Sequence, residues 1–337
     1  MNMAKKVELV CPAGSLPALR QAVDNGANAV YMGFRDATNA RNFPGLNFDE
    51  RAARQGIDYA HARGAKVLLA LNTYPQPQSW PVWTAAVDKA AALGVDALIL
   101  ADAGLMRYAS RTHPDLRLHL SVQGSATSAE AIAFYREQFN IQRVVLPRVL
   151  SLSQVKRVIR DTDVEVEVFA FGSLCVMVEG RCYLSSYVTG ESPNTCGACS
   201  PAKSVRWEET PQGRNVRLNG VLIDTYKEQE SAGYPVICKG RFLVNNKLSY
   251  AIEEPTSLSV LDILPQLIEA GVSAIKVEGR QRSPAYVGQV TRVLRQALDA
   301  AEANPAGYTP RSDWVAQLDK VAEGTTHTLG ALERQWQ

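Results

Sequence analysis

Five of the six cysteines, Cys175, Cys182, Cys196, Cys199 and Cys238, lie in one stretch of the chain. Thiolates are nucleophiles and also the ligands of soft metals and iron-sulfur clusters, so this enrichment marks a place where chemistry can be done. Along Cys175, Cys182, Cys199 and Cys238 the intervening residues number six, sixteen and thirty-eight. Structural zinc sites usually show two tight pairs of ligands, and here only Cys196 and Cys199 form one. Spacing alone therefore leaves zinc, an iron-sulfur cluster and simple buried thiols open. Cys11, which ends the first apolar run, reads as a packing or pocket thiol.

The elements that must position these thiols follow a strand-helix rhythm. Strands are expected at 7–11, 29–33, 66–72, 97–102, 117–123, 143–149, 165–172 and 274–278, as short, continuously apolar runs of the kind buried on both faces of a parallel sheet. Helices are expected at 16–25, 49–63, 80–93, 103–111, 128–138, 153–160 and 284–303. Ser15, Ser128 and either Ser151 or Ser153 stand where helix caps belong. Four joints, GANAV at 26, GAKVLL at 64, GVDALIL at 94 and GVSAIKV at 271, put a glycine where a helix must stop before the next strand.

Eight such units predict an α/β fold of the (β/α)8 TIM-barrel type over 1–303. The rhythm breaks at 173–255, a turn-rich, cysteine-bearing insertion between strands seven and eight with a strand-like passage from Arg217 to Ile223. It leaves the barrel at the carboxyl ends of the strands, where barrel active sites are built. A linker at Asn304 to Pro310 opens a C-terminal extension, 304–337, with a short helix near Ser312 to Val321.

The chain has 337 residues, and its 36 basic and 34 acidic side chains give a net charge of +2, which offers no support for a polyanion-binding surface. No apolar stretch of signal-peptide length follows MNMAKKVELV, and runs such as VLLAL at 67–71 are too short to cross a bilayer, so a cytoplasmic protein without a transmembrane segment is expected. In a reducing compartment clustered cysteines point to metal ligands or reactive thiols before disulfides.

Around the first two clustered thiols, Glu167, Phe169, Gly172, Ser173, Leu174, Cys175, Gly180, Cys182, Leu184 and Ser185 spell E-x-F-x-x-G-S-L-C-x-x-x-x-G-x-C-x-L-S. This resembles the signature of the collagenase-like peptidase family. The segments VCPAGSLPALRQAVDNGANAVYMG, YPVICKGR and IKVEGRQRSPAYV extend the likeness over nearly the whole chain, toward the branch that works in oxygen-independent ubiquinone biosynthesis. The resemblance implies a [4Fe-4S] cluster on Cys175, Cys182, Cys199 and Cys238. It leaves Cys196 as an additional thiol that competes with Cys199. It also implies a related, cluster-bearing partner in a heterodimer, ring hydroxylation of ubiquinone precursors, and prephenate as the oxygen donor. Members of the family that hydroxylate RNA make an RNA hydroxylase the second expectation. A protease and a zinc-stabilised binding module follow, because no serine or cysteine nucleophile with a histidine partner can be assembled from His61, His113, His119 and His327.

Polar residues at strand ends have a geometric claim on a barrel site. Arg41, Asn72, Gln123, Arg148, Glu278 and Arg280 are the candidate substrate-binding residues, with Asn39 and Asp102 nearby. Arg41, Arg148 and Arg280 would suit a dicarboxylate, which planar guanidinium forks bind in bidentate fashion. Lys239 and Arg241, flanking Gly240, are expected to offset cluster charge, to contact substrate or to be solvated. Tyr183, Tyr187 and Trp207 are expected to pack over the insertion, and His119 to lie inside the barrel in a structural role.

Overall fold

The computed structural model describes residues 6–175, 182–193, 198–230 and 232–334. The first seven strands are β1 (Glu8–Pro12), β2 (Ala29–Met32), β3 (Lys66–Leu71), β4 (Ala97–Leu100), β5 (Arg117–Leu120), β6 (Ile141–Val145) and β7 (Glu165–Ser173). The helices between them are α1 (Leu16–Asp24), α2 (Glu50–His61), α3 (Trp80–Leu93), α4 (Ala103–Thr112), α5 (Ala129–Phe139) and α6 (Leu152–Asp161). The eighth barrel strand, β14 (Ala274–Val277), pairs in parallel with β1 through Glu8 and Ala274 and with β7 through Glu167 and Ala274, which closes the barrel.

Strand-like chemistry explains the closure. Leu9, Val30, Val67, Leu69 and Leu98 point outward into the layer under the helices, while Val10, Tyr31, Leu68, Ala70 and Ile99 point inward. Both sets are buried, as the continuous apolar runs require. Helix α2 shows the matching period, burying Ala53, Gly56, Ile57 and Ala60. The four joint glycines, Gly26, Gly64, Gly94 and Gly271, all have φ between +73° and +98°, the left-handed stop that side chains with a Cβ resist.

Strands β5 and β6 fall furthest short of their expected ends. Strand β5 stops at Leu120 because Ser121 accepts a hydrogen bond from the Gln123 amide at 3.3 Å and turns the chain into one turn of 3-10 helix. Strand β6 runs over 141–145 instead of 143–149; Leu146 makes the last bond to Glu167, at 2.9 Å, and Pro147 has no N–H to continue.

The chain between β7 and β14 holds α7 (Tyr183–Thr189), a three-stranded antiparallel sheet of β8 (Val205–Thr210), β9 (Gly213–Leu218) and β10 (Val221–Tyr226), and a hairpin of β11 (Arg241–Val244) and β12 (Lys247–Tyr250). The passage Arg217 to Ile223 is therefore not one strand. Asn219 and Gly220, with φ of 44° and 85°, form the tight turn of the β9–β10 hairpin, the positive-φ pair that hairpins favour. Strand β13 (Ser257–Ser259) then pairs antiparallel with β7, and helix α8 (Leu264–Ala270), not anticipated from the sequence, leads into β14.

Helix α9 (Pro284–Ala303) packs on the outside of the barrel with α1 and β1. Helix α10 (Ser312–Asp319) follows, and β15 (His327–Thr328) adds to β13. Among the described residues no helix is long and apolar enough to cross a membrane.

Of the two candidate caps for α6, Ser151 takes the role. Its side chain accepts from the Gln154 amide at 3.3 Å, and the Gln154 side chain accepts from the Ser151 amide at 2.8 Å. Ser151→Ala is expected to lower the unfolding free energy by about 1 kcal/mol, with Ser153→Ala nearly silent. Urea titrations followed by circular dichroism would check this, and an equal loss for both variants would contradict the assignment.

Candidate metal and substrate site

Strand β7 delivers the first thiol. At Gly172 the backbone has φ of +125° and lies so close to Glu278 that a Cβ would come within 2.7 Å of the Glu278 Cβ. Only glycine lets β7 and the end of β14 approach this closely while the chain turns toward Cys175. Ser173 is fixed on both sides of its backbone: its carbonyl accepts from Arg148 Nη1 and its hydroxyl donates to Glu323.

Cys182 caps the amino end of α7, its Sγ accepting from the Ser185 amide at 3.4 Å. The hydroxyl of Ser185, itself buried, donates to the carbonyl of Cys199, so one serine ties two cysteine segments together. Cys238 sits in a single 3-10 turn, Ile237–Lys239, with its carbonyl accepting from the Glu253 amide at 3.1 Å.

The four sulfurs sense one another. Burial pushes the Cys238 thiol up to about 12; Cys175, Cys199 and Cys182 add to the rise and Lys239 opposes it. Burial likewise raises Cys182, with Cys175 contributing. Among the described residues no three His, Cys, Asp or Glu side chains are gathered into a closed metal-ligand geometry. The available donors are nonetheless soft sulfur atoms on neighbouring segments, two of which Ser185 ties together, and soft sulfur is the donor chemistry of zinc and iron-sulfur sites. Cys196 lies outside the described residues. Cys11 is a packing thiol on the outer face of β1, fully buried and accepting from the Thr291 hydroxyl at 3.2 Å.

A second group of polar residues gathers at the carboxyl ends of β2 and β14. Arg280 donates from Nη1 to Asn39 Oδ1, and its guanidinium lies 5.7 Å from the centre of the Tyr31 ring. Burial pushes Arg280 down to about 10; Arg41 adds to the fall, while Tyr31 and Glu278 oppose it. Among the described residues no carboxylate lies within ion-pairing distance of Arg280. Tyr31 donates its hydroxyl to the Val277 carbonyl at 2.8 Å, and burial, reinforced by Glu278, raises its pKa.

The remaining candidates divide. Asn72 supports the site from below, accepting from the Ala40 amide at 3.1 Å and so holding the loop that carries Asn39 and Arg41. Gln123 is buried, with Oε1 lacking a hydrogen-bond partner, and its backbone carbonyl accepts from the Tyr74 hydroxyl at 2.8 Å. Arg148 stands apart from Arg41 and Arg280, 4.4 Å over the Phe169 ring and bonded to Ser173. Asp102 is the cap of α4, accepting from the Leu105 amide at 2.8 Å. Arg241 pairs with Asp224 at 2.7 Å and Glu230 at 3.0 Å inside the insertion, whereas Lys239 pairs with Glu323.

Tyr183, Tyr187 and Trp207 do not pack over the insertion: they are 72%, 79% and 44% exposed. Helix α7 turns Ser185 inward, which leaves the tyrosines four residues apart on its outer face with stacked rings 6.4 Å apart. His119 is inside the barrel as expected, with neither ring nitrogen hydrogen-bonded. Burial, together with Arg143, Arg117, Lys276 and Lys66, holds its pKa well below the usual range, so the ring is neutral. His61, His113 and His327 pair with Asp96, Asp88 and Asp319 at 2.8, 2.8 and 2.7 Å, at partly exposed positions.

Inside the barrel lies a network that sequence reasoning missed. Arg143 pairs with Glu8 at 2.7 Å, Glu165 at 2.7 Å and Glu167 at 3.3 Å, and Lys276 pairs with Glu167 at 2.6 Å. Lys276 also lies 4.1 Å from the centre of the Tyr31 ring, linking the network to the mouth of the barrel. The alternation of inward positions along β6, β7 and β14 was the available signal.

Fold and site together define a closed parallel (β/α)8 barrel whose insertion carries thiols beyond the carboxyl ends of its strands. Residues 14–335 match Peptidase family U32, and the chain belongs to that family. It is 30% identical to tRNA hydroxylation protein P1 of Bacillus subtilis (strain 168), over 97% of this chain and 71% of that protein. It is 33% identical to an uncharacterized protease of Methanocaldococcus jannaschii, over 88% of this chain and 66% of that protein. It is 30% identical to a 23S rRNA 5-hydroxycytidine synthase of Escherichia coli, over 88% of this chain and 40% of that protein.

Proposed function

We propose that the chain is a UbiU-like iron-sulfur subunit that hydroxylates ubiquinone precursors without dioxygen, acting as a heterodimer with a UbiV-like partner and taking oxygen from prephenate. The observation that supports this reading is that Ser185, on the helix capped by Cys182, bonds the Cys199 carbonyl, and that Cys175 follows the carboxyl end of β7 as Arg280 follows that of β14. A [4Fe-4S] cluster bound there would supply one-electron redox chemistry. The chain's own contribution is to hold the thiols, through Ser185 and Gly172, and to offer Arg280, Arg41 and Asn39 to a carboxylate. The hydroxylation chemistry named for two of its relatives supports the reaction class.

The same names favour a second reading, hydroxylation of a nucleoside in RNA. A net charge of +2 weighs against it, since phosphate binding calls for a concentrated basic surface. Among the described residues no histidine is hydrogen-bonded to a serine hydroxyl or a cysteine thiol, so none stands as the general base of a protease nucleophile.

The test is to purify the protein anaerobically, with and without its partner, and to measure iron, sulfide and zinc in Cys→Ala variants at 175, 182, 196, 199 and 238. Loss of iron is expected for 175, 182, 199 and 238 and retention for 196. Stoichiometric zinc without iron would sink the redox reading. A deletion strain that makes ubiquinone normally without oxygen but lacks a hydroxylated nucleoside would shift the substrate to RNA.

A further inference from the structure

The segment after α10 returns to the carboxyl face of the barrel. Strand β15 pairs with β13 through Ser257–His327 and Leu258–Thr328, and Leu329 and Leu332 line a small apolar recess with Val168, Leu174 and Leu258. This course places Glu323 between two cysteine-bearing segments. One carboxylate oxygen accepts from the Ser173 hydroxyl, two residues before Cys175, and the other takes the ammonium of Lys239, the residue after Cys238. The Glu323 backbone is anchored in turn, its amide donating to Ser257 Oγ at 2.9 Å. Next to it Gly324, with φ of +60°, lies so near the Pro255 carbonyl that a Cβ would stand 2.1 Å from the oxygen. Lys239 and Glu323 side chains are 10% and 26% exposed, so the pair is partly shielded from water and worth more than a surface bridge.

We propose that Glu323 is a positioning residue of the thiol site, fixing the Cys175 and Cys238 segments relative to each other and holding the Lys239 charge beside the sulfurs. The inference rests on the cluster reading above. A group that orients ligands without touching the metal commonly changes metal affinity by about 10–100-fold when removed. Glutamine keeps an acceptor for Ser173 but loses the ion pair; aspartate keeps the charge but is too short to reach both partners.

The test uses the full chain reconstituted anaerobically with iron and sulfide, as wild type, Glu323→Gln, Glu323→Asp and Asp319→Asn. Asp319→Asn loosens the same segment at its His327 contact and leaves both Glu323 side-chain bonds in place. Iron retained against rising bipyridyl, the midpoint potential of the bound iron, and thermal unfolding of the metal-free chains are measured. So is alkylation of Cys175, Cys238 and Cys11 in the metal-free chains. Glu323→Gln is expected to give up iron at about tenfold lower chelator, to shift the potential, and to speed alkylation of Cys175 and Cys238 but not Cys11. Its unfolding temperature should fall no further than that of Asp319→Asn. Iron retention equal to wild type, or equal loss in Glu323→Gln and Asp319→Asn, would overturn the inference. A wild type that never holds iron would count against the cluster reading instead, and the alkylation pattern would then decide the positioning claim alone.

Discussion

Glu167→Gln is expected to destabilise the protein by about 3–5 kcal/mol, the usual result of breaking a buried ion pair from one side. Glu167 is fully buried and accepts from both Arg143 and Lys276. Without its charge Arg143 retains Glu8 and Glu165, but Lys276 is left inside the barrel with no acid partner among the described residues. Burial already lowers the Lys276 pKa, with Glu167 opposing that fall, so removing the carboxylate drives the ammonium further toward its neutral form. The double variant Glu167→Gln/Lys276→Met should recover most of the loss, because the penalty comes from the orphaned charge. Denaturant unfolding of the single and double variants measures this, and a Glu167→Gln loss under 1 kcal/mol would refute the account.

The same network sets an acid limb to stability. Burial alone would raise the Glu8 pKa, but hydrogen bonds and charges from Lys66 and Arg143 bring it below its ordinary value of 4.5. A carboxyl depressed in the folded state adds stability that is complete above its unfolded pKa and is lost as pH falls through the folded one. The wild-type curve should therefore fall below pH 4.5, and Glu8→Gln should flatten it.

Arg280→Gln is expected to weaken binding of a carboxylate oxygen donor by about 10–100-fold, the worth of one or two charge-assisted hydrogen bonds of ~1.5–3 kcal/mol. Arg280 is buried over Tyr31 and bonded to the neutral Asn39, so its charge has no counter-ion within the described protein. Arg280→Lys should restore little, since an ammonium cannot reproduce the planar fork. Calorimetry with prephenate and the anaerobic protein reads the affinity directly, and unchanged binding in Arg280→Gln would move the carboxylate site elsewhere, with Arg148 the next candidate.

These residues show what local sequence can and cannot reveal. The barrel was legible because strands buried on both faces are apolar throughout, and because Gly26, Gly64, Gly94 and Gly271 punctuate the helix ends. Arg217 to Ile223 carried its own signal, since Asn219–Gly220 is the dipeptide of a two-residue hairpin turn, and the run of apolar residues around it masked the break. Glu167 was visible as a letter of a motif, but its physical role required β6 and β14 on either side of β7, which only barrel closure supplies. Tyr183 and Tyr187 were misjudged because a helix as short as α7 gives no periodicity to show which face is inward. Glu323 carried no signal at all, standing 150 residues from Ser173 in sequence.

The ion-paired lattice of Glu8, Lys66, Arg143, Glu165 and Glu167 fills the amino-terminal half of the barrel with fixed charge from β1, β3, β6 and β7. Fixed charge of this kind closes the amino-terminal end of the barrel to a ligand. Any small molecule held by Arg280 would then have to arrive and depart on the side where β2, β7 and β14 end, past the same loops that carry Asn39 and Cys175.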